Sequence, residues 1–383
     1  MTPARRAQID AFLAMDVLSR ANERARAGNA VFHLEAGQPG CAAPKVALEA
    51  AAAALAVDKL GYTEALGRPA LRRRIARHYG EAYGVDLPFE RVIVTSGSSA
   101  AFILAFLAAF DAGTRLAMAV PGYPAYRNTA KALDLEPVLV RCGPDEGFRL
   151  TPSALAKINQ WHGVLIASPA NPTGTMMSRD AIGAIGELCA ERKAWLISDE
   201  IYHGICYGLR ADTALSVAPN AIVINSFSKY YAMTGWRVGW MVVPEAMVRP
   251  IERLAQNLYI SPPAISQVAA LAAMDAKVEL DGHVALYARN RSRLIDALRK
   301  AGMRTLAPAD GAFYLYADVS GFGLGADRLA ERLLEEAGIA ATPGFDFDPE
   351  QGDRWLRLSY AGSESEVADA ANALLHWCAT RTR

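Results

Sequence analysis

The sequence predicts an α/β fold, with a large domain on a mostly parallel seven-stranded sheet covered by helices and a smaller α+β domain beside it. Three observations carry this. Seven short apolar runs, at 91–95, 115–120, 136–141, 163–168, 194–198, 221–225 and 237–243, alternate with amphipathic stretches long enough to be helices. Continuously apolar strands are buried on both faces, as in a parallel sheet flanked by helices. Polar and glycine-rich segments follow those runs directly, at the carboxyl ends where such sheets gather ligands.

In chain order, the first predicted helix covers 16–27, with Asp16 as N-cap and Gly28 closing it. A short extended run at 31–35 leads into Ala36-Gly37-Gln38-Pro39-Gly40, an alanine-rich helix over 46–57, and the Gly61-Tyr62-Thr63 turn. The helix at 69–83 carries Arg72, Arg73, Arg74 and Arg77, read as a solvated face. After the seven strands, helical sequence runs from 244 to 299, followed by strand-like 311–318, a helix over 327–337 and strand-like 355–360. We expect residues 43–283 to form the large domain, and residues 1–42 with 284–383 the small one.

The chain has 383 residues, 52% of them apolar, enough for two domains and a large core. Forty basic and forty acidic residues cancel, so no nucleic acid or acidic membrane partner is expected. The longest apolar run, 100–110, is too short to span a bilayer, and Asp10 and Asp16 interrupt any signal-like segment. Five scattered cysteines without a Cys-x-x-Cys read as reduced core thiols. These features point to the cytoplasm. The six histidines show no local metal-ligand spacing, so no metal is expected. Gly321-Phe322-Gly323-Leu324-Gly325-Ala326 loosely fits a dinucleotide fingerprint but has no second βαβ half behind it, and reads as a turn.

Chemistry concentrates at the strand ends. Ser96-Gly97-Ser98-Ser99 opens a helix, where free N–H groups make an anion site or, more plainly, a serine cap. Pro121-Gly122-Tyr123-Pro124-Ala125-Tyr126 displays rings, and Tyr123 could stack on a flat heterocycle or be an ordinary half-buried turn residue. Asn171, before Pro172, can aim its amide at a ligand oxygen. Asp199 ends a buried strand, where a carboxylate needs a cation, donors or a helix to cap. In Ser226-Phe227-Ser228-Lys229, a lysine among small and aromatic neighbours would be desolvated, which lowers its pKa and makes it a nucleophile toward carbonyls. Arg237, eight residues on, can clamp a phosphate. An amine for an aldehyde, an acid for a ring nitrogen, a stacking ring and phosphate donors together describe a site for pyridoxal 5'-phosphate (PLP).

From about residue 16 to the C-terminus the chain resembles the fold-type I PLP enzymes, and within them the class I/II aminotransferases related to aspartate aminotransferase. The markers are Ala170-Asn171-Pro172-Thr173-Gly174, Ser198-Asp199-Glu200-Ile201-Tyr202, and Ser226-Phe227-Ser228-Lys229 continuing to Gly235-Trp236-Arg237-Val238-Gly239. The resemblance implies that Lys229 forms the internal aldimine and moves the proton between Cα and C4'. It implies that Asp199 pairs with the pyridine nitrogen, that Asn171 and Tyr202 bind the phenolic oxygen, and that Tyr123 stacks on the ring. It assigns Ser98, Ser99, Ser226 and Arg237 to the phosphate, and Tyr62 to the phosphate of a neighbouring subunit, making a homodimer with a shared site. Arg357 and the turn at Gly37 would take the substrate carboxylate. Segments 258–263 and 12–18 would shape the side-chain pocket. Gln38-Pro39-Gly40 and Ser96-Gly97-Ser98-Ser99 depart from the commoner forms of their motifs.

The implied activity is ping-pong transfer of an amino group from an L-amino acid to a 2-oxo acid. A β-eliminating C–S lyase on the same scaffold is the alternative, since the motifs hold the cofactor without dictating which bond breaks. A non-catalytic PLP-binding regulator would need a DNA-binding module, for which the chain has neither spare length nor a basic patch.

Overall fold

The computed structural model describes residues 1–380. Its strands are β1 (Phe32–His33), β2 (Val92–Thr95), β3 (Arg115–Val120), β4 (Glu136–Arg141), β5 (Gly163–Ala167), β6 (Trp195–Asp199), β7 (Ile222–Ser226), β8 (Gly239–Val242), β9 (Tyr314–Asp318), β10 (Ile339–Ala340), β11 (Thr342–Pro343) and β12 (Trp355–Ser359). The predicted seven-stranded sheet is present, in the order β2-β8-β7-β6-β5-β3-β4. β8 runs antiparallel to both its neighbours, and the pairs from β7 to β4 are parallel. β11, β12 and β9 make a separate antiparallel sheet, and β1 pairs with β10 in parallel.

The helices are α1 (Leu13–Arg26), α2 (Lys45–Val57), α3 (Pro69–Tyr83), α4 (Gly97–Ala109), α5 (Pro124–Ala132), α6 (Pro152–Ala156), α7 (Arg179–Glu191), α8 (Glu245–Leu258), α9 (Ala264–Ala273), α10 (Lys277–Lys300), α11 (Ala326–Ala337) and α12 (Glu364–Ala379). The continuous apolar strands are explained by alternation between two cores. On β5, Val164 and Ile166 enter a cluster with Leu71 and Ile75 of α3 and Ile182 and Ile185 of α7. Leu165 between them enters the opposite cluster, with Leu104 of α4 and Met247 and Ile251 of α8. Period-two geometry sends successive side chains to opposite faces, so a sheet covered on both sides needs apolar residues throughout. A third cluster joins β9, β12, α11 and α12 with Leu34 from the N-terminal segment. α10, 24 residues and so about 36 Å long, puts Leu280 into the first cluster and Leu294 and Leu298 into the third.

Four local expectations are corrected. α1 starts at Leu13, with Asp16 inside its first turn, because Asp346 accepts from the N–H groups of Leu13 (3.2 Å) and Ala14 (3.1 Å) and so caps the helix from 333 residues away. The α3 arginines do not share a solvated face: Arg72 is buried and donates to the carbonyls of Val92 (2.7 Å) and Glu90 (3.1 Å). Arg74 is tied to Glu81, Asp275 and the Met274 carbonyl, leaving Arg73 and Arg77 exposed. The last strand of the sheet begins at Gly239, since Arg237 is left-handed (φ 50°) and cannot continue a strand. The helical stretch after residue 244 is three helices, broken at Tyr259–Pro263 and near Asp275.

Candidate active site

Lys229, Asp199, Tyr202, Asn171, the start of α4, and Arg357 from the small sheet converge where the carboxyl ends of the large sheet face β12. Asp199, the last residue of β6, is 3% exposed, and no described residue forms an ion pair with it. The Tyr126 hydroxyl donates to its Oδ2, and the Ile201 N–H to Oδ1 at 3.0 Å. Burial nevertheless raises its pKa to about 6, against the pull of those donors and of Lys229. A buried acid in this condition is a fitting partner for a protonated ring nitrogen.

The Lys229 ammonium donates to the Gly37 carbonyl at 2.5 Å, with its Nζ 6.0 Å from the centre of the Phe313 ring. Burial, then the charges of Arg357 and Arg237, lower its pKa to about 8, with Asp199 opposing. Around it, the Ser226 hydroxyl donates to Ser228 Oγ (2.9 Å) and accepts from the Ser228 N–H (3.0 Å), while Thr234 donates to the Ser228 carbonyl. These short-range bonds fix the turn that presents the amine.

Beside it lies an anion cradle. The first N–H groups of α4, at Gly97, Ser98 and Ser99, have no intrahelical acceptors, and the helix dipole favours negative charge there. Gly97 has φ 79°, and a Cβ on it would collide with the Arg237 guanidinium. A Cβ on Gly239 would come within 2.9 Å of the Asn225 carbonyl and 3.0 Å of the Ser98 nitrogen. Bare backbone at both positions thus lets helix, strand and arginine close on one point, and the donor set suits a phosphate.

At the other end, Arg357 is 2% exposed and donates to Asn171 Oδ1 (3.1 Å), the Glu35 carbonyl (2.6 Å) and Thr342 Oγ1 (3.3 Å), with the rings of Tyr314 and Phe347 at 4.5 and 4.8 Å. Thr342 is its register partner on β11. A Cβ on Gly37 would lie 2.6 Å from the Tyr314 hydroxyl and 3.9 Å from Arg357 Nη1, so the Gly37 turn lies between lysine and arginine. Tyr202 shares a 2.8 Å hydrogen bond with Tyr314. Tyr123 packs edge-on against Phe12 and Tyr126.

Of the residues singled out from sequence, Tyr62 alone stands apart, 84% exposed on the outer surface. Sequence reasoning missed Tyr126 as the donor to Asp199, although its place three residues after Tyr123, at the start of a helix, marks the same face. It also missed Tyr314, Thr342 and the Glu35 carbonyl, which become neighbours of Arg357 only through strand register. Among the described residues no cluster could hold a metal ion, and no helix is long and apolar enough to cross a membrane.

Known proteins resemble the chain along nearly its whole length. Residues 29–374 match the model of the family described as aminotransferase class I and II. A valine–pyruvate aminotransferase of Mycobacterium tuberculosis is 46% identical over 379 residues, covering 98% of each chain. The crystal structure of an aminotransferase from that organism superposes with a TM-score of 0.97 at 46% identity, covering all of both chains. Aspartate aminotransferase from Thermus thermophilus with maleate gives 0.93 at 31% identity, over 98% of this chain and 99% of that one. The buried acid, the desolvated lysine, the anion cradle and the matched family lead to one conclusion: the chain belongs to the class I and II aminotransferases, enzymes that work with PLP.

Proposed function

We propose that this enzyme takes its amino group from an L-amino acid with a branched apolar side chain and passes it to pyruvate or a similar small 2-oxo acid. One observation carries the reading: Lys229 and Arg357 face each other across Gly37, with the rings of Tyr314 and Phe347 against the arginine and Phe12 against Tyr123. That arrangement suits a carboxylate at one end, a Cα beside the amine and a hydrocarbon side chain. The valine–pyruvate specificity named for the 46% identical relative supports it.

When bound, PLP serves as the electron sink for the carbanion at the substrate Cα. The chain's residues do the rest. Arg237 and the α4 N–H groups, with Ser98, Ser99 and Ser226, hold the phosphate. Asp199, oriented by Tyr126, keeps the ring nitrogen protonated. Asn171 and Tyr202 hold the ring oxygen, and Tyr123 covers the ring. Arg357 grips the α-carboxylate with its planar fork. Lys229, its pKa lowered to about 8, is partly neutral at physiological pH and can take and return the Cα proton.

The same reading divides the chain into a large unit, 43–283, and a small one of 1–42 with 284–383, joined through α10. It also makes the enzyme a homodimer. Tyr62 stands exposed together with Leu55, Val57, Leu258 and Ile260, an apolar surface suited to a second copy whose site Tyr62 would complete. The cytoplasm is the proposed compartment, consistent with five free thiols.

Incubating the PLP-loaded enzyme with L-valine and pyruvate should yield L-alanine and the 2-oxo acid of valine, faster than the same assay with L-aspartate or L-glutamate. Preference for a dicarboxylate donor would overturn the substrate assignment.

A further inference from the structure

Lys229 and Arg357 stand on different parts of the molecule, and the residue next to the lysine spans the join. Tyr230 packs against the core that holds Val223, Trp240 and Leu280, and also against the core that holds Tyr314, Leu358 and Leu294. Its ring sits on Gly204, two residues beyond Tyr202, where a Cβ would come within 2.6 Å of ring carbon Cδ2. Its hydroxyl donates to Asp281 Oδ1 at 2.8 Å. Asp281 lies in the second turn of α10, just where that helix leaves the first core on its way to the other. Lys277, one turn earlier, pairs with the remaining oxygen of Asp281, but both partners are well exposed. Beside the contact lies a cavity of about 730 Å³, lined among others by Tyr230, Gly204, His203, Lys277 and Asp281. On this side Tyr230 is held by the edge-on ring of Tyr231 at 5.1 Å and, at its hydroxyl end, by this one hydrogen bond.

We infer that the Tyr230–Asp281 hydrogen bond is a latch that keeps Lys229 in register with Arg357, making Tyr230 a positioning residue for the transfer. The substrate Cα is placed by the carboxylate on Arg357, while the amine that must reach it belongs to the other core. A small rotation of α10 relative to the large sheet therefore moves amine and Cα apart without disturbing either binding end. The latch opposes that rotation at the point where α10 crosses. The inference rests on the reading of Lys229 as the reactive amine and of Arg357 as the carboxylate anchor.

The test uses the PLP-loaded enzyme and three variants, Tyr230→Phe, Asp281→Asn and Lys277→Ala. Tyr230→Phe keeps the ring and its seat on Gly204 and removes only the donor, so kcat should fall about threefold, the scale of one partly exposed hydrogen bond. PLP affinity should not change, nor should the affinity of 3-methylbutanoate, which has the carboxylate and the branched tail but no amine for Lys229 to meet. Amide hydrogen exchange should quicken together at 227–233 and 277–284. Asp281→Asn retains an acceptor oxygen and should keep most of the activity, and Lys277→Ala should change nothing. An unchanged kcat in Tyr230→Phe, or a parallel loss of PLP and 3-methylbutanoate affinity, would overturn the latch. Retained turnover in a Lys229→Ala enzyme would instead overturn the reading on which the latch rests.

Discussion

At α4 and Arg237 the cleft is built from close-packed backbone: a serine-rich helix start and a left-handed arginine two residues before its strand, brought together by the β2–β8 pairing, with two glycines without which the pieces would collide. At Arg357 the cleft is assembled from Glu35, Asn171, Tyr314, Thr342 and Phe347, on segments that meet only in the finished fold. The first end takes its geometry from bare backbone at a strand pairing, the second from side chains set by strand register and burial. The difference teaches where each end is fragile. Close-packed backbone fails when a side chain intrudes, and a site built from side chains fails when one donor loses its fork.

The middle of the cleft, shared by both ends, should show the largest effect. Lys229→Ala should lower turnover by about 10⁴-fold, the upper range for a lost proton-transferring group, as measured by single-turnover kinetics. Next comes the register-built end. Arg357→Lys keeps the charge but loses the bidentate fork, and kcat/KM for the amino acid should fall roughly a hundredfold while PLP affinity stays the same. Equal losses of both would mean that the two ends are not separable.

The backbone-built end should respond in the opposite sense. Gly97→Ala places a Cβ against Arg237 on a backbone with φ 79°, so PLP should bind about tenfold more weakly, with little change in KM for the amino acid. Equilibrium dialysis against PLP measures it. Tyr126→Phe should be milder, worth about 1 kcal/mol, because it removes one of two donors to Asp199 and leaves the Ile201 N–H in place.

The last prediction concerns stability rather than turnover, in the cofactor-free chain as pH changes. The Lys229 amine titrates near 8 when folded and near 10.5 when unfolded, so the unfolded chain holds more protons between those values. Stability should therefore rise with pH from about 8 to about 10.5, and the rise should vanish in Lys229→Met. Identical melting profiles for the two chains across that range would contradict the desolvation of the amine.

The same contrast governs what could be read from sequence. The doubly covered sheet was legible because seven continuous apolar runs have few other uses, Lys229 and Asp199 because each follows such a run, and Arg237 because it opens one. Tyr126 was half visible, its ring noted but its partner hidden until β6 and α5 are set side by side. Tyr314 and Thr342 carry no local mark, since their meeting with Arg357 is fixed by pairing across β9, β12 and β11. The α3 arginines misled for a related reason. Four cations on one helix suggest solvent, yet Arg72 satisfies carbonyls at the β2 edge, which helical periodicity cannot foresee.

Asp346 capping α1 has a temporal consequence. The first forty residues pair with β10 and hang their opening helix on a carboxylate near the other terminus, so on the ribosome they emerge with neither partner yet made. Closing so long a loop is slow relative to local structure, and the N-terminal segment should dock late, after β10 and Asp346 have formed their own structure.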